Sequence, residues 1–273
     1  MAKCKNIGKL EGEVLLFGGV YSNFQALEAL MEIAAQLAIP PDNIICTGDI
    51  AGYCAQPEEC VQTIRAWDIH AIAGNVEIQL REGLDDCGCD FQADSRCDFF
   101  AKQWFPYAKS KVSADSINLM HTLPEHLTFE YAGKNCLVLH GSYQRVSEFV
   151  FRSTPWAVKE ASFQSGGASV IIAGHCGLPF NQVEDGKFWL NPGVIGMPAN
   201  DGTSRVWYMV LSDKGGFRFE HHHFLYDFDE TFAQMLENEL PIAYAQTLSS
   251  GLWDNNDILP EEETAAQGVA LEF

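Results

Sequence analysis

The sequence predicts an α/β protein, and more specifically a two-sheet α/β/β/α sandwich that carries a helical cap insertion. First, short apolar runs alternate with segments of helical period in the N-terminal third, as in a layered sheet covered by helices. Second, hairpin patterns in the later part of the chain indicate another sheet packed on the first. Because 273 residues with 47% apolar content can bury one large core, we expect a single domain spanning 1–273, with the cap at about 78–125.

The first third of the chain has the order β-α-β-α-β. Asn23 is a suitable N-cap for the first helix, in which apolar residues recur with a period near that of an α-helix. The second helix opens at Pro57, and proline is favoured at the first helical position. The predicted elements here are strand 13–17, helix 23–37, strand 44–46, helix 57–67 and strand 69–73.

The rest of the chain combines a helical insertion with strand pairs. Residues 77–122 begin polar and then predict two helices, which we interpret as a cap over the crevice at the strand ends. Turn sequences such as Gly133-Lys134 and Asp185-Gly186 are typical of antiparallel hairpins. The predicted elements are helices 92–104 and 113–121, strands 127–131 and 135–139, helix 154–164, strands 170–173, 180–183, 188–190, 206–211 and 217–224, and helices 229–240 and 242–250.

The charge balance argues against nucleic acid and anionic membrane as partners, because a surface with a formal net charge of −20 repels polyanions. No stretch of the sequence approaches the ~20 apolar residues of a membrane span. Residues 1–5 have a basic start without an apolar segment behind it, so we expect no signal peptide and a cytoplasmic protein. A homo-oligomer is compatible with the sequence, which does not determine the oligomeric state.

Four polar residues stand where short apolar runs end. In an open α/β sheet the ends of buried strands border a common crevice, where ligands bind. One carboxylate, one amide and two imidazoles brought together there would form a metal site with oxygen and nitrogen ligands. The four residues and their runs are Asp49 after 44–46, Asn75 after 69–73, His140 after 137–139 and His175 after 170–173.

Six segments, each at a predicted strand end, together resemble the calcineurin-like metallophosphoesterases, especially the small bacterial and archaeal branch of that family. One segment alone would be weak evidence, but six in this order and spacing indicate the family's fold, and the resemblance covers most of the chain. The segments are FGGVYSNFQAL at 17–27, TGDIAGY at 47–53, AGNVE at 73–77, LHGS at 139–142, AGHCG at 173–177 and LNPGVIG at 190–196, with a late YD at 226–227.

The resemblance implies a site in which two metal ions, about 3.5–4 Å apart, clamp the attacking and leaving oxygens of a phosphate ester. One half of this site is complete in the sequence. The family's ligands for that ion correspond to Asp49, Asn75, His140 and His175.

The other half departs from the family pattern. Gly19, Tyr21 and Gly177 replace three of the four ligands expected for the first ion, the fourth being the shared Asp49. Val76 stands where the family has a histidine that helps to protonate the leaving group, and Glu77 follows it as a carboxylate. Loss of a general acid costs about 10²–10⁴-fold in rate, so ordinary phosphoesterase catalysis should be severely weakened. Glu77 and Tyr21 are the candidate catalytic residues that remain.

These observations leave two functions open. The first is a phosphoesterase with weak or mononuclear activity at most, acting on a small phosphate ester and using one divalent ion (Mn, Zn, Fe or Ni). The second is a catalytically inactive protein of the same fold that binds a ligand, such as a small anion, or a protein partner. Losing three ligands and the acid together favours the second, whereas the intact half-site favours the first.

Several other residues are weaker candidates for metal binding. Tyr21 could act as a phenolate ligand or simply fill vacated space, and Cys54 and Cys176 could be thiolate ligands or small buried residues. The run 221–223, three histidines in a strand, cannot direct all its side chains one way. The last group is Cys87, Cys89 and Cys97, whose spacing matches no common zinc pattern. These cysteines could bind a structural metal, form a disulfide or be free thiols without a common role.

Overall fold

The computed structural model describes residues 3–273. Met1 and Ala2, part of the N-terminal stretch in which no signal peptide is expected, lie outside the described residues. The strands are β1 (Cys4–Leu10), β2 (Val14–Phe17), β3 (Ile44–Cys46), β4 (His70–Ala71), β5 (His126–Tyr131), β6 (Lys134–Val138), β7 (Val170–Ile172), β8 (Phe180–Glu184), β9 (Lys187–Asn191), β10 (Val206–Ser212) and β11 (Arg218–Phe224). The helices are α1 (Phe24–Gln36), α2 (Pro57–Trp67), α3 (Asn75–Arg81), α4 (Arg96–Lys111), α5 (Ala114–Thr122), α6 (Trp156–Gly166), α7 (Phe228–Glu237), α8 (Ile242–Ser250) and α9 (Glu261–Ala265).

The strands form two sheets, which confirms the predicted two-sheet sandwich. One sheet has the order β1-β5-β6-β7-β9-β8, and the other has the order β11-β10-β2-β3-β4. Neighbouring strands β2, β3 and β4 are parallel in the second sheet, as are β6, β7 and β9 in the first. The carboxyl ends of parallel strands lie at one edge of a sheet, so residues that follow these strands can meet.

Three apolar layers explain the α/β/β/α order. Leu16 and Ile45 of one sheet and Val138 and Ile172 of the other are fully buried in a single cluster between the sheets. A second cluster joins the outer face of the β2 sheet to α1, α2, α4, α7 and α8, and a third joins the outer face of the β6 sheet to α6. Strands buried on both faces account for the continuous apolar runs in the sequence.

Several elements differ from the prediction. Strand β1 was not predicted because its residues are mostly exposed and it is held by parallel main-chain pairing with β5. Helix α3 was assigned to a polar stretch, yet Glu77 caps its first turn by accepting a hydrogen bond from Gly74 N–H. The first predicted helix of the segment 78–125 begins later than predicted, because Ser95 is the N-cap of α4, and it continues through Pro106 while burying Phe105 and Ala108.

Helices α4 and α5 lie within the segment 78–125 and pack on the helical layer. Helix α4 contacts α2, and α5 contacts both α2 and α3. This segment therefore thickens the layer beside the carboxyl ends of β3 and β4. Within residues 3–273, no helix is both long enough and apolar enough to cross a bilayer.

Asn23 connects three parts of the chain near the same edge. Its Oδ1 accepts a hydrogen bond from Ala26 N–H and caps α1, while its Nδ2 donates to the carbonyl of Gly196 and to the hydroxyl of Tyr226. The Thr231 hydroxyl on α7 also donates to Oδ1. Because the side chain is fully buried, every one of these bonds is shielded from water.

We expect Asn23→Ala to lower the free energy of unfolding by about 2–4 kcal/mol, because it removes a helix cap and leaves buried polar groups unpaired. Urea denaturation followed by far-UV circular dichroism measures the change. Asn135→Ala, an exposed position on β6, is the matched control and should change stability by less than about 0.5 kcal/mol. Equal stability of Asn23→Ala and wild type would contradict the connecting role.

Candidate metal centre

Four buried polar side chains meet at the carboxyl edge of the two sheets. Nε2 of His140, which follows β6, lies 3.1 Å from Oδ2 of Asp49 and 3.0 Å from Oδ1 of Asn75. The same atom lies 3.1 Å from Nδ1 of His175, which follows β7. All four side chains are buried. The structure therefore brings together the four residues that follow the predicted strands, and their role as metal ligands stays a prediction.

The backbone at this edge is unusual in ways that allow the convergence. Asp49 has a φ of 55° and His175 a φ of 62°, in the left-handed region that side chains other than glycine rarely adopt. A Cβ on Gly74 would lie 2.2 Å from Oδ1 of Asp49, and one on Gly48 would lie 2.6 Å from the backbone nitrogen of Gly74. Glycine at these two positions lets the ends of β3 and β4 approach closely enough to bring the ligands together.

The amide of Asn75 is oriented by a Cys-Gly-Cys segment. Its Nδ2 donates to the carbonyl of Cys87 at 2.9 Å and to Sγ of Cys89 at 3.2 Å, so its Oδ1 faces His140. Sequence reasoning did not find this role for the cysteines. Only their position shortly after the strand-end asparagine hinted at it.

The protonation of the cluster favours a cation at its centre. Nδ1 of His140 lies 2.7 Å from the carbonyl oxygen of Thr47, which can only accept a hydrogen bond, so Nδ1 carries a proton and donates it in that bond. Nε2 then faces two oxygen acceptors, and it must carry a second proton or share a cation with them. Burial is the largest influence on His140 and lowers its pKa, but the charge and hydrogen bond of Asp49, the hydrogen bond to Thr47 and the charge of Glu77 together outweigh burial and raise the pKa.

The partners of His140 are electrostatically complementary. Burial alone would raise the pKa of Asp49, yet the positive charge and hydrogen bond of His140 bring it below its ordinary value. Burial and the charge of His140 lower the pKa of His175 to about 3, so His175 is a neutral imidazole. A carboxylate, an amide oxygen and two imidazoles form a donor set that suits a divalent ion such as Mn, Zn, Fe or Ni. These residues therefore fit a metal ion, and Asp49, His140 and His175 present ligand atoms within 4.8 Å of one another.

Glu77 organises the backbone behind the cluster. Its Oε1 accepts hydrogen bonds from the backbone N–H groups of Ile50 and Ala51, and its Oε2 accepts from those of Asp49 and Gly74. Burial, followed by the charge of Asp49, raises the pKa of Glu77 to about 7, and these N–H donors act in the opposite direction. Both carboxylate oxygens are thus committed to the loop after β3 and the start of α3.

Comparisons with known proteins now identify the family. The family model for the calcineurin-like phosphoesterase superfamily domain matches residues 13–214. The chain belongs to the calcineurin-like phosphoesterase superfamily. It is 26% identical over 247 residues to the uncharacterized protein MJ0912 of Methanocaldococcus jannaschii, covering 84% of this chain and 93% of that protein.

Two solved structures support the assignment of the fold. A metallophosphoesterase from Sphaerobacter thermophilus superposes with a TM-score of 0.70 at 23% identity, covering 89% of this chain and all of that one. The hypothetical protein PH1004 from Pyrococcus horikoshii OT3 superposes with a TM-score of 0.74 at 17% identity, covering 88% of this chain and 99% of that one.

In this phosphoesterase-family chain, the four positions at which the sequence analysis expects departures from the family pattern lie around the same edge. A Cβ on Gly19 would lie 2.6 Å from the ring of Tyr21, and one on Gly177 would lie 3.4 Å from the ring of Trp253. Val76 is fully buried, and its backbone N–H donates to Oδ1 of Asp49 at 3.4 Å. The ring of Tyr21 therefore occupies the space into which a side chain at 19 would project, whereas a Cβ at 177 would be in ordinary contact with the ring of Trp253.

A cavity of about 80 Å³ opens beside the cluster. Asp49 and His175 line it, together with Tyr21 and residues from the segment 78–125 and the C-terminal part of the chain. Cys89, Phe91 and Cys97 come from that segment, and Tyr244, Trp253, Asp254 and Ile258 come from the C-terminal part. The cavity thus reaches the metal-binding candidates from the side of Tyr21.

The remaining candidates lie apart from the cluster or make other contacts. Burial raises the pKa of the Cys176 thiol to about 12, and its sulfur contacts Asn191 Nδ2 at 3.2 Å. Asn191 also binds the carbonyl of Gly174, so its turn shapes the backbone next to His175. Nε2 of the buried His221 lies 2.9 Å from the carbonyl of Asn191.

All nine cysteines are free thiols in the structure. Cys87 and Cys89 contact Asn75, whereas the sulfur of Cys97 contacts Asn255 Oδ1 at 3.3 Å. Burial holds the pKa of the Cys54 thiol well above its ordinary value. Cys87 and Cys89 therefore orient Asn75, whereas Cys97 connects the segment 78–125 to the C-terminal region.

We expect Glu77→Gln to lower the free energy of unfolding by about 1–3 kcal/mol, because an amide nitrogen replaces an oxygen that accepts two backbone N–H groups. Chemical denaturation measures this loss. Glu82→Gln, an exposed glutamate that ends the same helix, is the control and should behave like wild type. Unchanged stability in Glu77→Gln would show that the carboxylate does not organise these loops.

Proposed function

We propose that the protein is a metal-dependent phosphoester hydrolase that uses a single divalent ion held by Asp49, Asn75, His140 and His175. The observation that carries the proposal is the convergence of these four donor groups on one buried point. Membership of the calcineurin-like phosphoesterase superfamily supports phosphate-ester chemistry at that point. Mn, Zn, Fe and Ni all suit the donor set, which does not select among them.

The proposal of one ion rests on the departures from the family pattern. The family's second set of donors would need side chains at positions 19, 21 and 177. Gly19 and Gly177 offer no donor atom, and the space beside them contains the rings of Tyr21 and Trp253. We therefore propose a degenerate two-metal site and an activity weaker than that of a complete one.

The chemistry divides between the ion and the chain. When bound, the ion supplies a Lewis acid that polarises a phosphoryl oxygen. Glu77 holds the loop that carries Asp49, and the Cys87 and Cys89 contacts orient Asn75. Burial raises the pKa of Tyr21 well above its ordinary value, so its hydroxyl keeps its proton in the cavity and can donate a hydrogen bond to a phosphate.

Small phosphate esters are the proposed substrates. The cavity of about 80 Å³ is too confined for a nucleic-acid strand, and a net charge of −20 opposes the approach of a polyanion. We also propose that segment 78–125 acts as a cap, because Cys89, Phe91 and Cys97 of that segment line the cavity.

The alternative is a catalytically inactive protein of this fold that binds an anion or a protein partner. Val76 favours this alternative, because a buried aliphatic side chain cannot protonate a leaving group. The alternative keeps the same ligand cluster but predicts binding without turnover. Metal content and hydrolysis together decide between the two.

We expect the purified chain to bind one Mn²⁺, and we expect Asp49→Asn and His140→Gln to weaken that binding by more than ~100-fold, because each removes a ligand. Isothermal titration of the metal-free chain measures affinity and stoichiometry. Hydrolysis of bis(4-nitrophenyl) phosphate with Mn²⁺ should disappear in both variants. His222→Ala, on β11 outside the cluster, should retain both properties.

The outcomes of this experiment separate the hypotheses. Two ions per chain would contradict the single-ion site. One ion without any turnover would reject hydrolysis and support the inactive alternative. Turnover that persists in a folded Asp49→Asn would place catalysis elsewhere in the chain.

We expect Tyr21→Phe to reduce kcat by about 10²-fold while metal affinity stays unchanged, because the variant loses a hydrogen-bond donor to the transition state but keeps the ring. Steady-state kinetics with bis(4-nitrophenyl) phosphate and Mn²⁺ measure the effect. Tyr208→Phe, a buried tyrosine of β10 outside the cavity, is the control. Loss of metal binding in Tyr21→Phe would instead identify the phenol oxygen as a ligand.

A further inference from the structure

A larger cavity, here called the β8 groove, lies along β8, which is the last strand of the six-stranded sheet. Its volume is about 730 Å³, and its lining joins residues 180–183 of β8 to the C-terminal segment 262–273. Among the described residues, none lines both this groove and the cavity beside the metal centre. The side chain of Val183 in this lining is half-exposed. The groove is therefore a separate feature with room for a ligand of its own.

The hairpin of β8 and β9 determines which main-chain groups of β8 point away from the sheet. The two-residue turn 185–186 has φ angles of 48° and 77°. Glu184 and Lys187 flank this turn and exchange both hydrogen bonds, and such bonded pairs recur at every second residue. The N–H and C=O groups of Asn181 and Val183 therefore point outward. Within residues 3–273, no hydrogen bond reaches these outward groups.

An unpaired strand edge can bind an extended peptide as an additional strand. The main chain of a peptide supplies N–H and C=O groups at the spacing of those on Asn181 and Val183. Asn200, which also lines the groove, accepts a hydrogen bond from Trp253 N–H at 2.8 Å through its Oδ1. Its buried Nδ2 has no hydrogen-bond partner in the described part of the chain. The carbonyl oxygen of a peptide is the kind of acceptor that this Nδ2 lacks.

The charges around the β8 groove favour a basic peptide. Its lining includes four carboxylates and one guanidinium, namely Asp201, Glu262, Glu263, Glu272 and Arg152. Arg205 pairs with Asp201 at 2.9 Å, so the excess negative charge lies on the glutamates, of which Glu262 and Glu272 are exposed. The net charge of −20 acts in the same direction at longer range, and it opposes pairing of β8 with a second copy of this chain.

We propose that the β8 groove binds an extended, basic segment of a partner protein, which adds to β8 as a further strand. The main chain of this segment pairs with Asn181 and Val183, and its apolar side chains contact Phe180. Its lysine or arginine side chains interact with Glu262 and Glu272. This inference is independent of the proposed function, because it involves neither the metal centre nor hydrolysis.

The first test measures the charge preference. The probe is the peptide acetyl-KVTVKV-amide, and acetyl-EVTVEV-amide is its acidic counterpart. At low ionic strength the basic peptide should bind the full-length protein at least ~10-fold more tightly, because the glutamates attract one peptide and repel the other. Isothermal titration calorimetry measures both affinities. The double variant Glu262→Gln/Glu272→Gln should lower the preference below ~3-fold. Glu220→Gln, an exposed position on β11 outside the groove, should keep it.

The second test concerns the main chain of β8. Val183→Pro removes an outward N–H but no hydrogen bond to β9, and edge strands tolerate proline at such positions. We expect this variant to bind acetyl-KVTVKV-amide at least ~10-fold more weakly, since a strand hydrogen bond is lost. Its far-UV circular dichroism should match that of wild type. Val183→Thr keeps both the N–H group and a β-branched side chain, and should bind like wild type.

The possible results separate strand addition from other uses of this edge. Equal affinities for the two peptides, or undiminished binding in a folded Val183→Pro, would overturn the proposal. If Val183→Pro does not fold, the double variant decides, and an unchanged charge preference in it would overturn the proposal. A dimer in sedimentation velocity that Val183→Pro dissociates, found without peptide binding, would assign the edge to a second copy of this chain and also overturn it.

Discussion

The carboxylate of Glu77 is the interaction on which the edge of the sandwich depends. It accepts four backbone N–H groups, three from the loop after β3 and one from the start of α3. Those two segments carry Asp49 and Asn75, so the position of both side chains follows from one buried anion. A backbone that is fixed in this way can hold a side chain in a conformation that it would not adopt alone.

Each of the two sheets contributes two residues to the cluster. Asp49 and Asn75 come from the sheet of β3 and β4, whereas His140 and His175 come from the sheet of β6 and β7. The cluster therefore spans the interface between the sheets, and the apolar layer that joins them also sets the distance between the ligand pairs. A site of this kind can form only after both sheets have packed.

The sequence was sufficient to predict the sandwich and the four converging residues, because strand ends and glycines leave a periodic signal. The signal was absent for β1, whose residues are mostly exposed and whose strand pairs through its main chain with β5. It was also absent for the contacts of Asn75 with Cys87 and Cys89, which depend on how a loop folds back. The contact between Trp253 and Gly177, which are 76 positions apart, could not be predicted either. Such a contact depends on tertiary packing and leaves no periodic pattern in the sequence.

The left-handed backbone of Asp49 and His175 has a consequence for how the protein tolerates change. In that conformation, each residue lowers the stability of the fold by about 1–2 kcal/mol relative to glycine. Glycine at either position would relieve this strain but would remove a donor group, so stability and ligand binding make opposite demands on the same two positions. Selection for thermal robustness alone would tend to erode the cluster, whereas selection for the bound ligand would keep it.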